Sequence, residues 1–347
     1  MKKILVSLAI LVAMIGGLSS AQAQDVKSIE VLPTMNTQST AQNRIWVGTF
    51  QLVWNELTDK IVKAPVKFFG FDSQMATDLN QRQFKKSNLN AKSYYVKSGI
   101  VSPALKAEIE KNIKAKFNET SDILKMFDFT YNPDKIFVYA MLKKDFKFTN
   151  AFDKLSTSNF GNSHEMVNYF GINDNSNKKL YKNVNVLFYN SYDDFAVKLY
   201  TKGKDEVLLY RTNDDKTFDK YYAEMNEKTA KYSGDRNFVK NDTLTVPDIK
   251  LYQEASFDEL EGHQIVGTNM QIDKTIETVD FRMNNEGVKL KSEAAIMVRC
   301  TSLAPRDGRD FTFNNNFVLF LVEKGQKTPY YAMKVSDVAA LNKTGRE

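Results

Sequence analysis

The chain has one cysteine, Cys300, and two histidines, His164 and His263, in 347 residues. A single cysteine excludes an intramolecular disulfide. It also excludes, with two distant histidines, the Cys/His spacing of a zinc site. No twelve-residue calcium loop surrounds Asp193-Asp194, Asp214-Asp215 or Asp258-Glu259. G-x-S-x-G, G-x-G-x-x-G and phosphate-cradling glycine loops are missing. Neither histidine lies in a motif that would supply a general base, and none neighbours Cys300 in sequence. The chain therefore reads as a non-enzyme, with no catalytic residues, no metal site and no cofactor. After the N-terminus no apolar run reaches about 18 residues, so no membrane span is expected.

What is present begins with a targeting pattern. Lys2-Lys3, the apolar run Ile4–Leu18 and the small-x-small Ala21-Gln22-Ala23 form a signal peptide over residues 1–23, cleaved after Ala23. This pattern implies export to the periplasm or the extracellular medium. Apolar residues make up 42% and charged residues 26%, which is globular composition. The net charge of +6 is spread evenly and points to a solvated surface, not to nucleic acid. With 24 Phe and 16 Tyr, the balance favours sheet.

The chain order predicts one domain over residues 43–340, preceded by a polar tether at 24–42. Residues 44–62 carry apolar side chains at helical spacing and read as a helix. Ser102-Pro103 opens a second helix, running to Phe117. Residues 217–232 form a third. Strands are expected at 90–96, 135–142, 184–188, 195–200, 206–210, 275–283, 317–322 and 330–335, the last two as a hairpin. A strand at 243–251 is interrupted by Pro247. The class is α+β, with large mixed and antiparallel sheets and few helices.

One stretch has two readings. Thr278–Met283 alternates as a strand, Asn284-Asn285-Glu286-Gly287 breaks it, and alternation resumes. Val288, Leu290, Ser292, Ala294, Ile296 and Val298 fall on one face; Lys289, Lys291, Glu293, Ala295, Met297 and Arg299 fall on the other. Residues 300–310, with Pro305 and Gly308, have loop chemistry.

The order of these pieces resembles the serpin family. Residues 49–61 (TFQLVWNELTDKI) are similar to the family's first long helix. Residues 89–129 resemble its strand N-x-hydrophobic-Tyr-Val-x-x-Gly, the helix after it and the terminal Asp-Phe. Residues 135–153 place Phe146, Lys147 and Phe152 in register with a third motif. Residues 270–287 resemble the strand ending N-E-x-G before the reactive loop, and 313–335 the closing hairpin. Asn316 and Lys334 stand where the family has Pro and Gly. Too few residues separate Phe129 and Lys135 for the helix that crosses the front of the main sheet. The chain resembles a shortened, divergent relative.

In inhibitory serpins the resemblance implies suicide inhibition of a serine or cysteine endopeptidase. The protease cuts an exposed loop, here residues 287–312, and its N-terminal part enters the main sheet as a new strand. The hinge would be Glu286, Gly287 and Val288. Leu290, Ser292, Ala294, Ile296 and Val298 would face the core. Counting from Gly287 puts the cut near Thr301; counting from Phe313 puts it near Pro305. Arg299 and Arg306 would suit trypsin-like proteases. The partner would be a target endopeptidase, and the protein a monomer. The alternative is a non-inhibitory binding or structural module on the same scaffold, with Val288–Val298 already a fixed strand.

Overall fold

Ser102 accepts a hydrogen bond from the Leu105 amide at 3.2 Å, Pro103 occupies the first turn, and Asn118 closes the helix in the left-handed region. These signals set the limits of a fifteen-residue helix, and its Leu105, Ile109, Ile113 and Phe117 stripe packs on Phe137 and Tyr139. The computed structural model describes residues 29–161, 166–289, 308–338 and 341–342.

In chain order the elements are β1 (Ile29–Leu32), β2 (Asn43–Val47), α1 (Gly48–Glu56), α2 (Gln74–Asn80), β3 (Tyr94–Val101), α3 (Pro103–Phe117), β4 (Asn132–Leu142), β5 (Asp145–Lys147), β6 (Asp153–Asn159) and β7 (Met166–Ile172). Next come β8 (Val184–Ser191), β9 (Asp194–Tyr200), β10 (Asp205–Arg211), α4 (Phe218–Lys231), β11 (Thr243–Pro247), β12 (Ile249–Ala255), β13 (Glu277–Asn284), β14 (Gly287–Lys289), β15 (Asp310–Thr312), β16 (Phe317–Glu323) and β17 (Tyr331–Val335). The fold is α+β, with sheets dominant and few helices.

A seven-stranded sheet runs β1-β2-β17-β16-β10-β9-β8. Every residue of β16 and β17 is buried, as continuous apolar runs require when both faces are covered. A four-stranded sheet runs β15-β11-β7-β6. The front of the molecule carries β12-β13-β14-β5 and the separate pair β3-β4.

Four expectations are corrected. Residues 29–42 are not a tether: Ile29–Leu32 is a buried strand parallel to β2, because Ile29, Val31 and Leu32 are apolar enough to finish the sheet edge. The helix expected over 44–62 starts only at Gly48, since Arg44–Val47 pairs with β17; it then widens to a π-type turn over Leu57–Val62 and ends at Lys63 in the left-handed region. The strand at 243–251 is two strands in two sheets. Pro247 closes β11 and Asp248 turns the chain into β12. Asp310, placed at the end of a loop by its neighbours' chemistry, instead opens β15, which pairs in parallel with β11.

Candidate functional site

The turn Asn284–Gly287 sends the chain back along its own strand. Asn284 Oδ1 accepts from the Glu286 amide at 2.9 Å. The Phe148 and Phe152 amides donate to the Glu286 and Asn285 carbonyls, each at 2.9 Å, and Asn285 Nδ2 donates to the Phe152 carbonyl at 3.1 Å. The turn is therefore clamped to the residues after β5. Gly287 is required by close approach: a Cβ there would lie 2.2 Å from the Phe146 carbonyl oxygen and 2.7 Å from Lys147 Cα.

β14 is antiparallel to β13, with Gly287 opposite Asn284, Val288 opposite Met283 and Lys289 opposite Arg282. On its other side it is antiparallel to β5, where Val288 faces Phe146. β13 and β5 are thus parallel strands separated by three residues of β14. Val288 is fully buried beside Met283 and Phe146.

Among the described residues no strand stands between β4 and the part of β13 preceding Arg282, and residues of both strands line one cavity of about 810 Å³. Val53, Trp54 and Leu57, of α1 and the turn after it, also line it. Phe127 and Met270 also line it; Lys274 Nζ donates to the Met126 carbonyl at 3.3 Å and rests over the Phe127 ring at 5.3 Å. Lys135 and Asp273 form an ion pair there at 3.1 Å.

Glu277 is among the residues that line this cavity. It alternates in phase with Val279, Phe281 and Met283, so it points inward from β13 and is buried. Its Oε1 accepts from the Phe50 amide at 3.2 Å, capping α1, whose N-cap residue Val47 has no side-chain acceptor. Oε2 has no hydrogen-bond partner among the described residues. Burial pushes this carboxyl up to about 8, against the smaller opposing effect of the Phe50 amide.

A second charged group anchors the front strands. Lys144, between β4 and β5, is buried and bonds to Asp205 at 2.7 Å and Glu323 at 2.5 Å, with its ammonium 4.7 Å from the Tyr330 ring centre. Glu323 also accepts from the Asn90 amide. This network ties the front strands to the seven-stranded sheet.

Glu286, Gly287 and Val288, the residues expected to form a hinge, lie in the turn and at the start of β14. Leu290, Ser292, Ala294, Ile296 and Val298, the cut-site candidates Arg299, Thr301, Pro305 and Arg306, Cys300, His164 and the signal peptide lie outside the described residues. His263 stacks on Phe71 at 4.0 Å. Among the described residues no group of three or more His, Cys, Asp or Glu could hold a metal ion, and no helix is long and apolar enough to cross a membrane. Sequence reasoning missed Glu277 and Lys144. The available signal for Glu277 was a carboxylate occupying a core-facing position of an alternating strand.

No protein-family model and no curated protein matches the sequence. Solved serpin structures do. The chain is similar to the serpin Serpin48 of the insect Tenebrio molitor, at 12% identity, with 84% of this chain and 96% of that chain covered and a TM-score of 0.44. It is similar to human thyroxine-binding globulin complexed with thyroxine, at 11% identity over 82% of this chain and 95% of that chain, TM-score 0.44. Mouse protein-Z dependent protease inhibitor matches at 14% identity over 68% and 63%, TM-score 0.42.

Proposed function

We propose that the chain is an exported, serpin-like suicide-substrate inhibitor of serine or cysteine endopeptidases, with its reactive segment at about 287–312. The supporting observation is the placement of β14. Gly287 and Val288 of the proposed hinge lie in a third strand between β13 and β5, and residues of β13, β4 and apolar side chains of α1 line one cavity. A segment that alternates in phase with Val288 can extend β14 between β13 and β4. Its backbone would satisfy two facing strand edges and its even-numbered side chains would meet the core. Entry of a cut segment would add ladder hydrogen bonds and buried area, which is the driving force a suicide inhibitor needs.

The test is incubation with trypsin-like, elastase-like and subtilisin-like proteases, read on a denaturing gel. A protease–protein band that survives denaturation, with a cut between residues 299 and 306, is the expected result. Nicking without such a band, and without a rise in melting temperature after the cut, defeats the reading. A second reading, a binding module on the same scaffold, is favoured by the size and apolar lining of the cavity; it predicts nicking alone.

A further inference from the structure

Lysines scattered along the sequence gather at one end of the fold. Thr201 Oγ1 donates to the Asp205 carbonyl at 2.6 Å and accepts from the Gly203 amide at 3.3 Å, which closes the β9–β10 turn with Lys202 and Lys204 exposed. The β16–β17 turn closes through the Gln326 amide on the Glu323 carbonyl at 2.8 Å, with Gly325 at φ 87°, and exposes Lys324 and Lys327. The Lys324 amide donates to the Lys204 carbonyl at 2.6 Å, so the two turns lie side by side. The Lys202 amide donates to the carbonyl of the exposed Lys147 at 2.8 Å, and Lys147 lies opposite Gly287 in the β5–β14 pair. Lys202, Lys204, Lys324 and Lys327 form no ion pair among the described residues. The acids of the same turns, Asp205 and Glu323, are instead turned inward onto Lys144, with side chains 13% and 9% exposed. Glu286, 3.5 Å from Lys147, and Asp145 are the exposed acids of the adjoining turn and strand. Positive charge therefore predominates on this surface.

We propose that this lysine cluster is a docking surface for the acidic face of the target endopeptidase, a proposal that rests on the inhibitory reading's placement of the reactive segment. The charges are lysines on turns, flexible and strongly hydrated, without the fork geometry that fixes one carboxylate or phosphate. Such charges act through their summed field, which raises the association rate of an oppositely charged partner by about 10- to 1,000-fold at low salt. The cluster borders the turn Asn284–Gly287, where the proposed reactive segment begins. A protease drawn to it arrives beside the segment it cuts. This position, and not charge alone, selects a protease over other polyanions.

The test uses the chain from residue 24 onwards and two trypsins with the same preference for arginine and lysine, one of acidic and one of basic isoelectric point. The second-order rate of the cut between residues 299 and 306 is measured from about 10 mM to about 300 mM salt, over which the screening length falls from about 30 Å to below about 10 Å. With the acidic trypsin the rate is expected to fall about tenfold or more; with the basic one it rises, and the two converge. Lys202→Glu/Lys204→Glu should lower the low-salt rate of the acidic trypsin about tenfold and remove most of its salt dependence. The charge-matched Lys60→Glu/Lys63→Glu, at exposed positions in and after the π-type turn, should stay within about twofold of the parent. A rate with the acidic trypsin that ignores salt overturns the proposal and leaves the lysines as solvating groups of their turns. Equal losses in the two paired variants also overturn it, because net charge alone would then set the rate. The inhibitory reading is scored separately on the same samples, by the band that survives denaturation. Charge-dependent cutting without that band defeats the inhibitory reading and keeps the docking surface; the band with charge-independent cutting does the reverse. No cut between residues 299 and 306 by either trypsin overturns both.

Discussion

Gly287 lies against Phe146 so closely that a Cβ would come 2.2 Å from the Phe146 carbonyl oxygen. The obstacle is backbone, which cannot move aside as a side-chain tip can. Gly287→Ala is therefore expected to push β14 away from β5, at a cost of about 1–3 kcal/mol. The loss should show as a lower denaturant midpoint with unchanged slope, and as faster amide exchange at Phe148, whose partner is the Glu286 carbonyl. Unaltered exchange at Phe148 would mean that the turn is not held by this approach.

Glu277 gives stability an unusual pH dependence. Its carboxyl is held at about 8 in the folded chain, against an ordinary value of 4.5. Between those values the folded state keeps a proton that the unfolded state has released. Stability from this group is thus full below about pH 4.5 and falls as pH rises towards 8. Asp248, pushed up to about 7 by burial, acts in the same direction. Urea melts across pH 5 to 8.5 should show decreasing stability. Glu277→Gln should be near neutral at pH 5 and more stable than the parent at pH 8.5, by on the order of 2–4 kcal/mol. A parent more stable than Glu277→Gln at pH 8.5 would show that the carboxylate is accommodated and the assignment is wrong.

Lys144 is the buried cation on which Asp205 and Glu323 both depend. Lys144→Met removes the cation from the buried Glu323 and the half-buried Asp205, leaving Glu323 only its hydrogen bonds from Asn90 and Ser93 and Asp205 that from Tyr330, at a cost of about 3–5 kcal/mol. Adding Glu323→Gln to that variant should restore part of the loss, because it removes one of the stranded charges. A double-mutant cycle on chemical denaturation measures this coupling. Additive effects would show that the network is not a unit.

Much of the scaffold was legible because local chemistry and tertiary packing agreed. The Ser102-Pro103 start and the Phe117 end of α3, the three strands over 184–210 and the closing hairpin each derive from a cap, a turn or an apolar run. The failures have tertiary causes. Ile45-Trp46-Val47 fits a helical apolar face as well as a strand, and only pairing with β17 decides between them. Ile29–Leu32 is too short to stand out from its polar neighbours until β2 offers an edge. The turn at Asn284–Gly287 was readable from Gly287 and the change of alternation. The cavity was not, since it is lined by two strands far apart in sequence, β4 and β13, that are unpaired with each other among the described residues. Glu277 was visible in phase with the core but could not be distinguished from an error of register without α1 above it.

The register of β14 makes a residue-level forecast for the proposed insertion. Each further residue of the segment lies opposite the preceding residue of β13, so continuation beyond Lys289 carries Leu290 to Phe281, Ser292 to Val279 and Ala294 to Glu277. Phe281 is fully buried and stacks on Tyr331 with ring centres 4.7 Å apart, so the Leu290 position admits an apolar side chain and rejects a charge. Lys291 would lie on the opposite face beside Asp280, where a positive charge is matched across the strands. Leu290→Lys should therefore be cut as fast as the parent yet yield little or no denaturation-resistant complex, because entry of the strand stalls at its first core-facing residue beyond Val288. Lys291→Ala should retain most of the complex. The ratio of complex to cleaved product on a denaturing gel measures both. If Leu290→Lys forms complex as well as the parent does, the segment does not enter between β13 and β4 in this register, whatever its cleavage rate.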